Sequence, residues 1–341
     1  MKQIKNILVT GGLGYIGSHT VVALQQAGYK VTIIDDLSNT QISVLDNITK
    51  ITEIKPDFHL IDLKDKEALN LFFQHNSTDG IIHFAAYKAV GESVEKPLMY
   101  YRNNLLGLIN LLEAMEKYKT DHFIFSSSCT VYGQADQMPI NEQTPLKRPE
   151  APYGKTKQMG EEIIADFVAA TNRNAIALRY FNPVGAHASS LIGELPNGIP
   201  NNLIPYITQT AAGIRESLGV FGNDYDTRDG TAIRDYIDVN DLADAHVKAL
   251  NRLLNKKNTQ ALEFFNLGSG TGSTVLEMIQ AFEKANDIKI SYEIKPRRAG
   301  DIQEAYADYS LAKKELNWNP DTPLEVSMKT AWEFEKKQII Q

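Results

Sequence analysis

The fold of this chain is decided by Gly11-Gly12-Leu13-Gly14-Tyr15-Ile16-Gly17, which joins the apolar run Ile4–Val9 to a helical pattern over Gly17–Ala27. Glycines at a strand-to-helix turn let the chain turn tightly and let its backbone approach a pyrophosphate. The free amides and the positive end of the helix dipole then bind the anion. The stretch predicts a dinucleotide-binding unit, although a plain helix-entry turn has the same composition.

The residues after the second predicted strand, Lys30–Ile34, favour the dinucleotide interpretation. Asp35 stands 18 residues after Gly17. A carboxylate there accepts hydrogen bonds from the adenosine ribose hydroxyls and repels a 2′-phosphate, which favours NAD over NADP. The alternative is a turn residue, since Asp36–Asn39 continues with turn-forming side chains. Asp62, after a third strand, is placed either to bind the adenine amine or to cap a helix.

Strands and helical patterns alternate through the first half of the chain. Further strands are predicted over Phe58–Leu60, Gly80–Ala86, His122–Ser127 and Ala175–Tyr180, with a helix over Leu105–Glu116. This alternation is typical of right-handed βαβ units and a parallel sheet. We therefore expect a Rossmann-type, doubly wound α/β domain over residues 1–180.

The texture of the sequence changes after Tyr180. Residues 181–235 are rich in Gly, Pro and Asn but contain scattered apolar residues, which favours an ordered binding segment. Shorter elements follow, a strand over Phe264–Leu267, a helix over Val275–Ala285 and a strand over Ile290–Ile294. We expect residues 181–341 to form a smaller C-terminal α/β substrate lobe, with a return to the first domain near 232–262.

Composition and charge exclude several classes of partner. The net charge of −7 argues against nucleic acid, because phosphate backbones need a basic face. The single cysteine, Cys129, precludes an internal disulfide and fits a reducing compartment. No apolar run approaches the roughly 18 residues that span a bilayer. We expect a cytoplasmic protein with no membrane partner and no metal site.

Tyr153 and Lys157 form the most informative pair. On a helix, which Pro152 suits as a first residue, they lie one turn apart on the same face. A phenol titrates near pH ~10, but a nearby ammonium and a positive nicotinamide ring stabilise its phenolate. Tyr153 is therefore a candidate base, although a surface Tyr beside a solvated Lys gives the same spacing.

Three serines, Ser126–Ser128, stand at the carboxyl end of the predicted strand His122–Ser127. Ligands of open α/β sheets bind outside the carboxyl ends of the strands. A serine hydroxyl there can donate to an oxygen of a bound ligand and pass its proton to a phenolate. Turn composition alone also explains three serines, so the prediction depends on their order with the glycine turn and Tyr153.

Taken together, these motifs resemble the extended short-chain dehydrogenase/reductases and, within them, the UDP-glucose 4-epimerases. The resemblance runs from about Ile7 to Trp318. It is carried by Gly11–Gly17, Ile82–Ser93, Ser126–Gly133, Tyr153–Lys157, Arg179–His187 and Pro296–Asp301. It implies C4 inversion of UDP-galactose and UDP-glucose in galactose metabolism, through a 4-keto sugar and transient reduction of a retained NAD.

The resemblance also implies a role for each matching position. Tyr153 is implied as the base, Ser128 as its hydroxyl partner and Lys157 as the group that tunes Tyr153. The NAD site is implied to contain Gly11, Gly14, Tyr15, Ile16, Gly17, Asp35, Asp36, Asn39, Asp62, Leu63, Phe84, Ala85, Lys88, Asn103, Ser128, Tyr153, Lys157 and Phe181. The UDP-sugar site is implied to contain Lys88, Ser128, Tyr153, Asn182, Asn202, Leu203, Val220, Phe221, Arg234, Arg298, Asp301 and Ala305.

Several alternatives remain at this point. Ala305 stands where some family members have a tyrosine against C2 of the sugar, so its small size implies activity on UDP-N-acetylglucosamine and UDP-N-acetylgalactosamine as well. A sugar-nucleotide 4,6-dehydratase is disfavoured, because that class typically carries Asp-Glu where Cys129 and Thr130 stand. A 4-epimerase of UDP-glucuronate or a UDP-pentose differs only at the sugar end. A non-catalytic NAD-binding regulator is disfavoured because Tyr153 and Lys157 are present.

The resemblance further implies a homodimer. Members of the family commonly pair two helices per subunit into a four-helix bundle. Tyr100–Glu116 and Tyr153–Ala170 are the candidate helices, and the second carries the proposed base.

Overall fold

Strands and helices alternate through the first 180 residues, as the sequence predicts. The computed structural model describes residues 4–298 and 301–340. In chain order the first elements are β1 (Asn6–Thr10), α1 (Tyr15–Gln26), β2 (Lys30–Asp35), α2 (Ser43–Thr52), β3 (Asp57–Leu60), α3 (Lys66–His75), β4 (Gly80–His83), α4 (Val90–Glu95), α5 (Pro97–Tyr101), α6 (Gly107–Tyr118), β5 (His122–Ser126), α7 (Pro152–Thr171) and β6 (Asn174–Tyr180). A π-turn, Arg102–Leu106, joins α5 to α6, and a 3₁₀ turn, Cys129–Tyr132, follows β5.

The second half of the chain contains more regular structure than its Gly, Pro and Asn content suggests. Its elements are β7 (Asn182–Val184), α8 (Leu203–Ala211), β8 (Leu218–Phe221), β9 (Ile233–Asp238), α9 (Val239–Leu254), β10 (Leu262–Leu267), β11 (Gly272–Thr274), α10 (Val275–Asn286), β12 (Tyr292–Lys295), β13 (Glu304–Ala305), α11 (Ser310–Leu316) and α12 (Leu324–Ile340). The predicted binding segment 181–235 thus holds β7, α8, β8 and the first residues of β9.

A seven-stranded parallel sheet in the order β10-β6-β5-β4-β1-β2-β3 forms the first layer of the molecule. Strand order reverses beside β1, which is the signature of a doubly wound fold. The α/β, Rossmann-type prediction is therefore confirmed. The seventh strand, β10, comes from the second half of the chain and pairs with β6 from Leu262↔Ala175 to Leu267↔Tyr180.

Helices cover both faces of this sheet, because its strands are apolar on both sides. One face packs against α1, α2 and α9, with Val21, Ile48 and Leu250 buried in the shared core. The other face packs against α3, α6 and α7 through Phe72, Leu111 and other buried side chains. Since α9 packs against α1, the chain returns to the first layer after β9.

The smaller part of the molecule is built from two short sheets and three helices. Strands β11, β9 and β13 lie in one sheet with β7 beside β9, and β12 pairs with β8. Helices α8, α10 and α12 close a separate core that includes Ile207, Met278, Phe282 and Met328. Among the described residues, no helix is long and apolar enough to cross a membrane.

Candidate active site

A cavity of about 1730 Å³ lies between the carboxyl ends of the parallel strands and the smaller part of the molecule. Sites for one small ligand usually measure about 300–1000 Å³. This cavity is therefore large enough for two nucleotides side by side. Both the glycine turn after β1 and the serines after β5 open into it.

The glycine turn after β1 leaves no room for side chains. Gly11 has φ +70°, and a Cβ on it would lie 2.7 Å from the Ala85 nitrogen. A Cβ on Gly17 would lie 2.1 Å from the Gly11 carbonyl oxygen. The turn therefore packs backbone against backbone, and the first amides of α1 face the cavity. Such a cradle fits the pyrophosphate of a dinucleotide.

Asp35 ends β2 beside this cradle and is buried. Its Oδ2 accepts the Leu13 amide at 3.1 Å, and its Oδ1 accepts the Leu37 amide at 3.0 Å. Burial raises the pKa of Asp35, while these two hydrogen bonds lower it. Both the turn role and the ligand role considered from sequence are thus compatible with its position, because Asp35 also lines the cavity.

Asp62 and Asn103 are joined by a cation that the sequence reasoning missed. Lys64 Nζ lies 2.9 Å from Asp62 Oδ1 and 2.7 Å from Asn103 Oδ1. Asp62 Oδ1 also accepts the Lys64 amide at 2.9 Å, so it forms a turn rather than capping α3. Asp65 caps α3 instead. All three side chains line the cavity at the outer end of the sheet.

Tyr153, Lys157 and Ser128 meet at the carboxyl end of β5. Helix α7 places Lys157 one turn after Tyr153, with Nζ 5.9 Å from the centre of the Tyr153 ring. Lys157 Nζ donates to the Ser126 carbonyl oxygen at 2.6 Å. Ser128 caps the following 3₁₀ turn by accepting the Thr130 amide at 3.2 Å. Residues that are separate in the sequence thus lie together at the end of β5.

Burial moves the pKa values of Tyr153 and Lys157 in directions that disfavour a phenolate beside an ammonium. It raises the pKa of Tyr153 to about 12, and the hydrogen bond with Ser128 lowers that pKa. It also lowers the pKa of Lys157 to about 7, and Glu161 raises that pKa. A dry site therefore needs further charges to keep a phenolate beside an ammonium.

Lys88 reaches across the cavity from the loop after β4. Its Nζ lies 2.8 Å from Glu194 Oε1, and the same Oε1 accepts Asn202 Nδ2 at 2.6 Å. Two residues predicted from sequence to touch ligands thus share one carboxylate. The sequence reasoning missed Glu194, which stands in the irregular stretch before α8 without a motif of its own.

The far side of the cavity holds a cluster of Arg and Asp side chains. Arg298 Nε donates to Asp301 Oδ2 at 3.0 Å, and Arg234 Nη2 lies 3.8 Å from Asp301 Oδ1. The Arg298 guanidinium stands 4.6 Å over the centre of the Phe221 ring. The two residues between Arg298 and Asp301 lie outside the described part of the chain.

Of the residues predicted to form the sites, only Val220 does not line the cavity. Strand β8 alternates, so Val220 is fully buried in the core of the smaller part while Gly219 and Phe221 face the cavity. The remaining predicted residues all line it, namely Gly11, Gly14, Tyr15, Ile16, Gly17, Asp35, Asp36, Asn39, Asp62, Leu63, Phe84, Ala85, Lys88, Asn103, Ser128, Tyr153, Lys157, Phe181, Asn182, Asn202, Leu203, Phe221, Arg234, Arg298, Asp301 and Ala305.

Known proteins resemble this chain in sequence over nearly their whole length. The GDP-mannose 4,6 dehydratase family model matches residues 8–330. The UDP-glucose 4-epimerase of Bacillus subtilis (strain 168) is 50% identical over 98% of this chain and 97% of its own length. This chain belongs to the UDP-glucose 4-epimerase family. The resemblance inferred from the motifs is thereby confirmed.

Two solved structures of the family superpose closely on this chain. A UDP-glucose 4-epimerase from Stenotrophomonas maltophila, with bound NAD and formylated UDP-arabinopyranose, has a TM-score of 0.95 and 45% identity, covering 98% of this chain and 99% of its own. The enzyme from Bifidobacterium longum, in complex with NAD⁺ and UDP, has a TM-score of 0.95 and 43% identity, with the same coverage. The family's fold is thus shared almost from end to end.

The matching dehydratase family model does not imply dehydratase chemistry in this chain. Dehydration needs an acid and a base beside the strand-end hydroxyl, but Cys129 and Thr130 stand there. Burial raises the pKa of the Cys129 thiol to about 12, so the thiol stays protonated. Thr130 Oγ1 donates to Ser128 Oγ at 3.0 Å and does not titrate.

Proposed function

We propose that this chain interconverts UDP-galactose and UDP-glucose by inverting C4 of the sugar through a 4-keto intermediate. The observation that carries the proposal is the cluster of Tyr153, Lys157 and Ser128 in the same cavity as the glycine turn. The family relationship supports the same reaction. An NAD-binding regulator would have no need of a buried Tyr–Lys pair.

The residues around the glycine turn fit NAD. Gly11 and Gly17 form the cradle for its pyrophosphate, and Asp35 suits the adenosine ribose. Phe181 and Lys157 line the same cavity and would hold the nicotinamide half of the cofactor. When bound, NAD⁺ supplies the oxidising power by taking up the C4 hydrogen with its electron pair and returning it.

Tyr153 is the base in this proposal. Its phenolate takes the O4 proton of the sugar, directly or through Ser128, as the C4–H bond breaks and the C4 carbonyl forms. Lys157 stabilises the phenolate by its charge. The 4-keto sugar then turns about its bond to the diphosphate, and Tyr153 gives the proton back when hydrogen returns to the other face.

The sugar nucleotide is proposed to bind across the far side of the cavity. Arg234 and Arg298 suit the diphosphate, because guanidinium groups pair with phosphate through two hydrogen bonds. Asn182 and Asn202 supply amides for the uracil and the sugar, and Phe221 supplies an apolar surface. These contacts hold the nucleotide while the sugar turns, so specificity lies mostly in the nucleotide half.

The test is to incubate the purified protein with UDP-galactose without added NAD. We expect UDP-glucose to form, and Tyr153→Phe to abolish turnover nearly completely while NAD stays bound. Net release of NADH would indicate a dehydrogenase instead. No change in the sugar, with NAD bound, would support the regulator. UDP-glucuronate and UDP-pentoses assayed beside it decide whether another sugar is preferred.

We propose that the enzyme also epimerises UDP-N-acetylglucosamine and UDP-N-acetylgalactosamine. Ala305 lines the cavity on β13, next to Arg234 of β9, and is small. Ala305→Tyr is expected to remove turnover of the N-acetylated sugars and to retain turnover of UDP-galactose. A wild-type enzyme that is active on UDP-glucose but inert on the N-acetylated sugar would refute this part.

We further propose a cytoplasmic homodimer whose subunits divide into an NAD-binding domain over 1–180, with a return segment near 232–262, and a UDP-sugar-binding lobe over 181–341. Leu98 of α5 is 80% exposed, and Leu106 and Ile109 are each 40% exposed along the adjoining π-turn and α6. An apolar helical face of this kind is typical of a subunit interface. The double variant Leu106→Glu with Ile109→Glu is expected to sediment as a monomer, whereas wild-type sedimentation as a monomer would contradict the dimer.

A further inference from the structure

An ion pair closed off from solvent lies directly behind the proposed catalytic residues. Arg179 of β6 grips Glu161 of α7 with two hydrogen bonds, from Nε to Oε1 at 2.9 Å and from Nη2 to Oε2 at 2.7 Å. Each side chain is 4% exposed. A buried pair of this kind contributes little net stability, because desolvation offsets the attraction. The place of this pair beside Lys157 therefore points to a role other than stability.

The carboxylate of this pair touches both elements that carry the proposed chemistry. Glu161 follows Lys157 by one helical turn on the same face of α7. Its Oε1 also accepts the Ser127 hydroxyl at 2.5 Å. Ser127 stands between Ser126, whose carbonyl accepts Lys157 Nζ, and Ser128. One carboxylate thus connects the helix of the base to the turn of the serine.

We propose that Glu161, held in place by Arg179, is a positioning residue that keeps Lys157 in its ammonium form beside Tyr153. The inference rests on the proposed epimerase function, because it assigns Glu161 a role only through Lys157. Arg179 lies on the far side of the carboxylate, over the rings of Phe264 at 4.3 Å and Tyr132 at 5.0 Å.

The other titratable groups that face Lys157 carry no negative charge that could stabilise its ammonium form. From β4, His83 is buried, and burial together with the Lys157 charge lowers its pKa to about 3, so it is neutral. From β6, Tyr180 is hydrogen-bonded to Ser126, and burial raises its pKa. Neither can carry the negative charge that an ammonium in this place needs.

Burial also disfavours a negative charge on the groups nearer the cavity. Burial raises the pKa values of Tyr153 and Cys129 to about 12 each, and it raises that of Tyr132 to about 12 as well. Burial lowers the pKa of Lys157 to about 7, and among the described residues Glu161 is the charge that raises it. Removal of that charge therefore favours the neutral amine.

The experiment compares Glu161→Gln with a matched control on the NAD-loaded enzyme. The control is Glu263→Gln, which breaks a second buried pair in which Arg252 binds Glu263 at 2.7 and 2.9 Å, with side chains 6% and 8% exposed. That pair joins α9 to β10, and neither residue lines the cavity. Both variants lose a comparable buried interaction, but only one loses the charge beside Lys157.

We expect Glu161→Gln to move the alkaline limb of the pH dependence of kcat to lower pH by about 1–2 pH units, so that turnover at pH values between the old and new positions of the limb falls by up to about tenfold to a hundredfold. Glu263→Gln should lower stability without moving that limb. The ultraviolet absorbance of tyrosinate, as the difference from Tyr153→Phe, provides a readout without turnover, and the Tyr153 phenolate should form at higher pH in Glu161→Gln.

A second variant keeps the test decisive when Glu161→Gln folds poorly. Glu161→Leu combined with Arg179→Met removes both charges, a change that buried ion pairs often tolerate. The alkaline limb should again move to lower pH, by less than in the single variant. An alkaline limb unmoved in both variants, with the losses of kcat equal to that of Glu263→Gln, would overturn the inference. Wild-type turnover of UDP-galactose is measured first, so failure of the proposed function is seen separately.

Discussion

Replacing Gly17 with alanine tests whether the cofactor site depends on the close approach of backbone in the glycine turn. The new Cβ would stand 2.1 Å from the Gly11 carbonyl oxygen and 2.9 Å from the Gly12 Cα. Carbon and oxygen atoms that are not bonded ordinarily keep at least about 3.3 Å apart. The start of α1 or the turn before it must therefore move by roughly 1 Å.

The packing of α1 in the core opposes that movement, and the movement weakens the contacts with the ligand. Val21 and Leu24 of α1 are fully buried against the sheet, so the helix is not free to slide. A turn displaced by roughly 1 Å no longer aims its amides at the pyrophosphate, and each charged hydrogen bond lost costs about 1.5–3 kcal/mol. We expect the Kd for NAD to rise by about tenfold to a hundredfold.

The assay measures bound NAD after gel filtration and the Kd for NAD by titration calorimetry. Gly14→Ala should give a smaller rise, because its Cβ would lie 3.2 Å from the Gly11 oxygen. Gly28→Ala is the control, since nothing lies within 4 Å of its Cβ and its φ of +86° costs stability alone. Wild-type affinity in Gly17→Ala, or equal losses in Gly17→Ala and Gly28→Ala, would refute the reasoning.

Three further predictions concern other parts of the cavity and the core. Asp35→Ser should weaken NAD binding about tenfold and narrow the preference for NAD over NADP, because the ribose loses its acceptor; unchanged affinities for both nucleotides would contradict this. Glu194→Ala should raise KM for UDP-galactose more than it lowers kcat, because Lys88 and Asn202 lose their shared partner; steady-state kinetics that show a fall in kcat alone would speak against it. Burial lowers the pKa of His246 from 6.5 to about 4, so its contribution to stability is full above pH 6.5 and is lost as the pH falls toward 4. At about pH 5 the loss is about 2 kcal/mol, so His246→Phe should lose about 2 kcal/mol less than the wild type between pH 7 and pH 5 in urea unfolding, and equal losses would count against the assignment.

The first six strands could be predicted because parallel strands that helices cover on both faces consist of short runs of apolar residues. Ile7, Leu8 and Val9 are fully buried in β1, and the predicted strand differs from the observed one by two residues at its start and one at its end. Helix α3 was not predicted although its signal is present, since Asp65 caps its first amides. Helix ends were shifted where a cap or a π-turn decides the boundary.

The return of the chain to the first layer could be placed only roughly. Helix α9 is strongly amphipathic, but its partner α1 is more than 200 residues away in sequence. Nothing local in Val239–Leu254 says which sheet it covers. The sequence of β10 likewise does not indicate that it pairs with β6, because that pairing forms only in the tertiary structure.

The meeting of Tyr153 with Lys157 could be predicted because residues four apart on a helix lie one turn from each other. Glu161 continues the same four-residue spacing, so the sequence also contained that signal. Its partner Arg179 comes from a strand, and only the packed structure shows that the two meet. Val220 stays a predicted site residue, although the alternation of β8 turns its side chain into the core.

The burial that makes this cavity useful also works against its chemistry. It raises the pKa of Tyr153 to about 12 and lowers that of Lys157 to about 7, so both groups lean toward their neutral forms. A phenolate beside an ammonium persists in such a place only when other charges are built around it. The positive ring of oxidised NAD favours the phenolate, and Glu161 favours the ammonium. Since Glu161 is itself buried, it needs Arg179, and the charge proposed for Lys157 thus depends on a residue of β6.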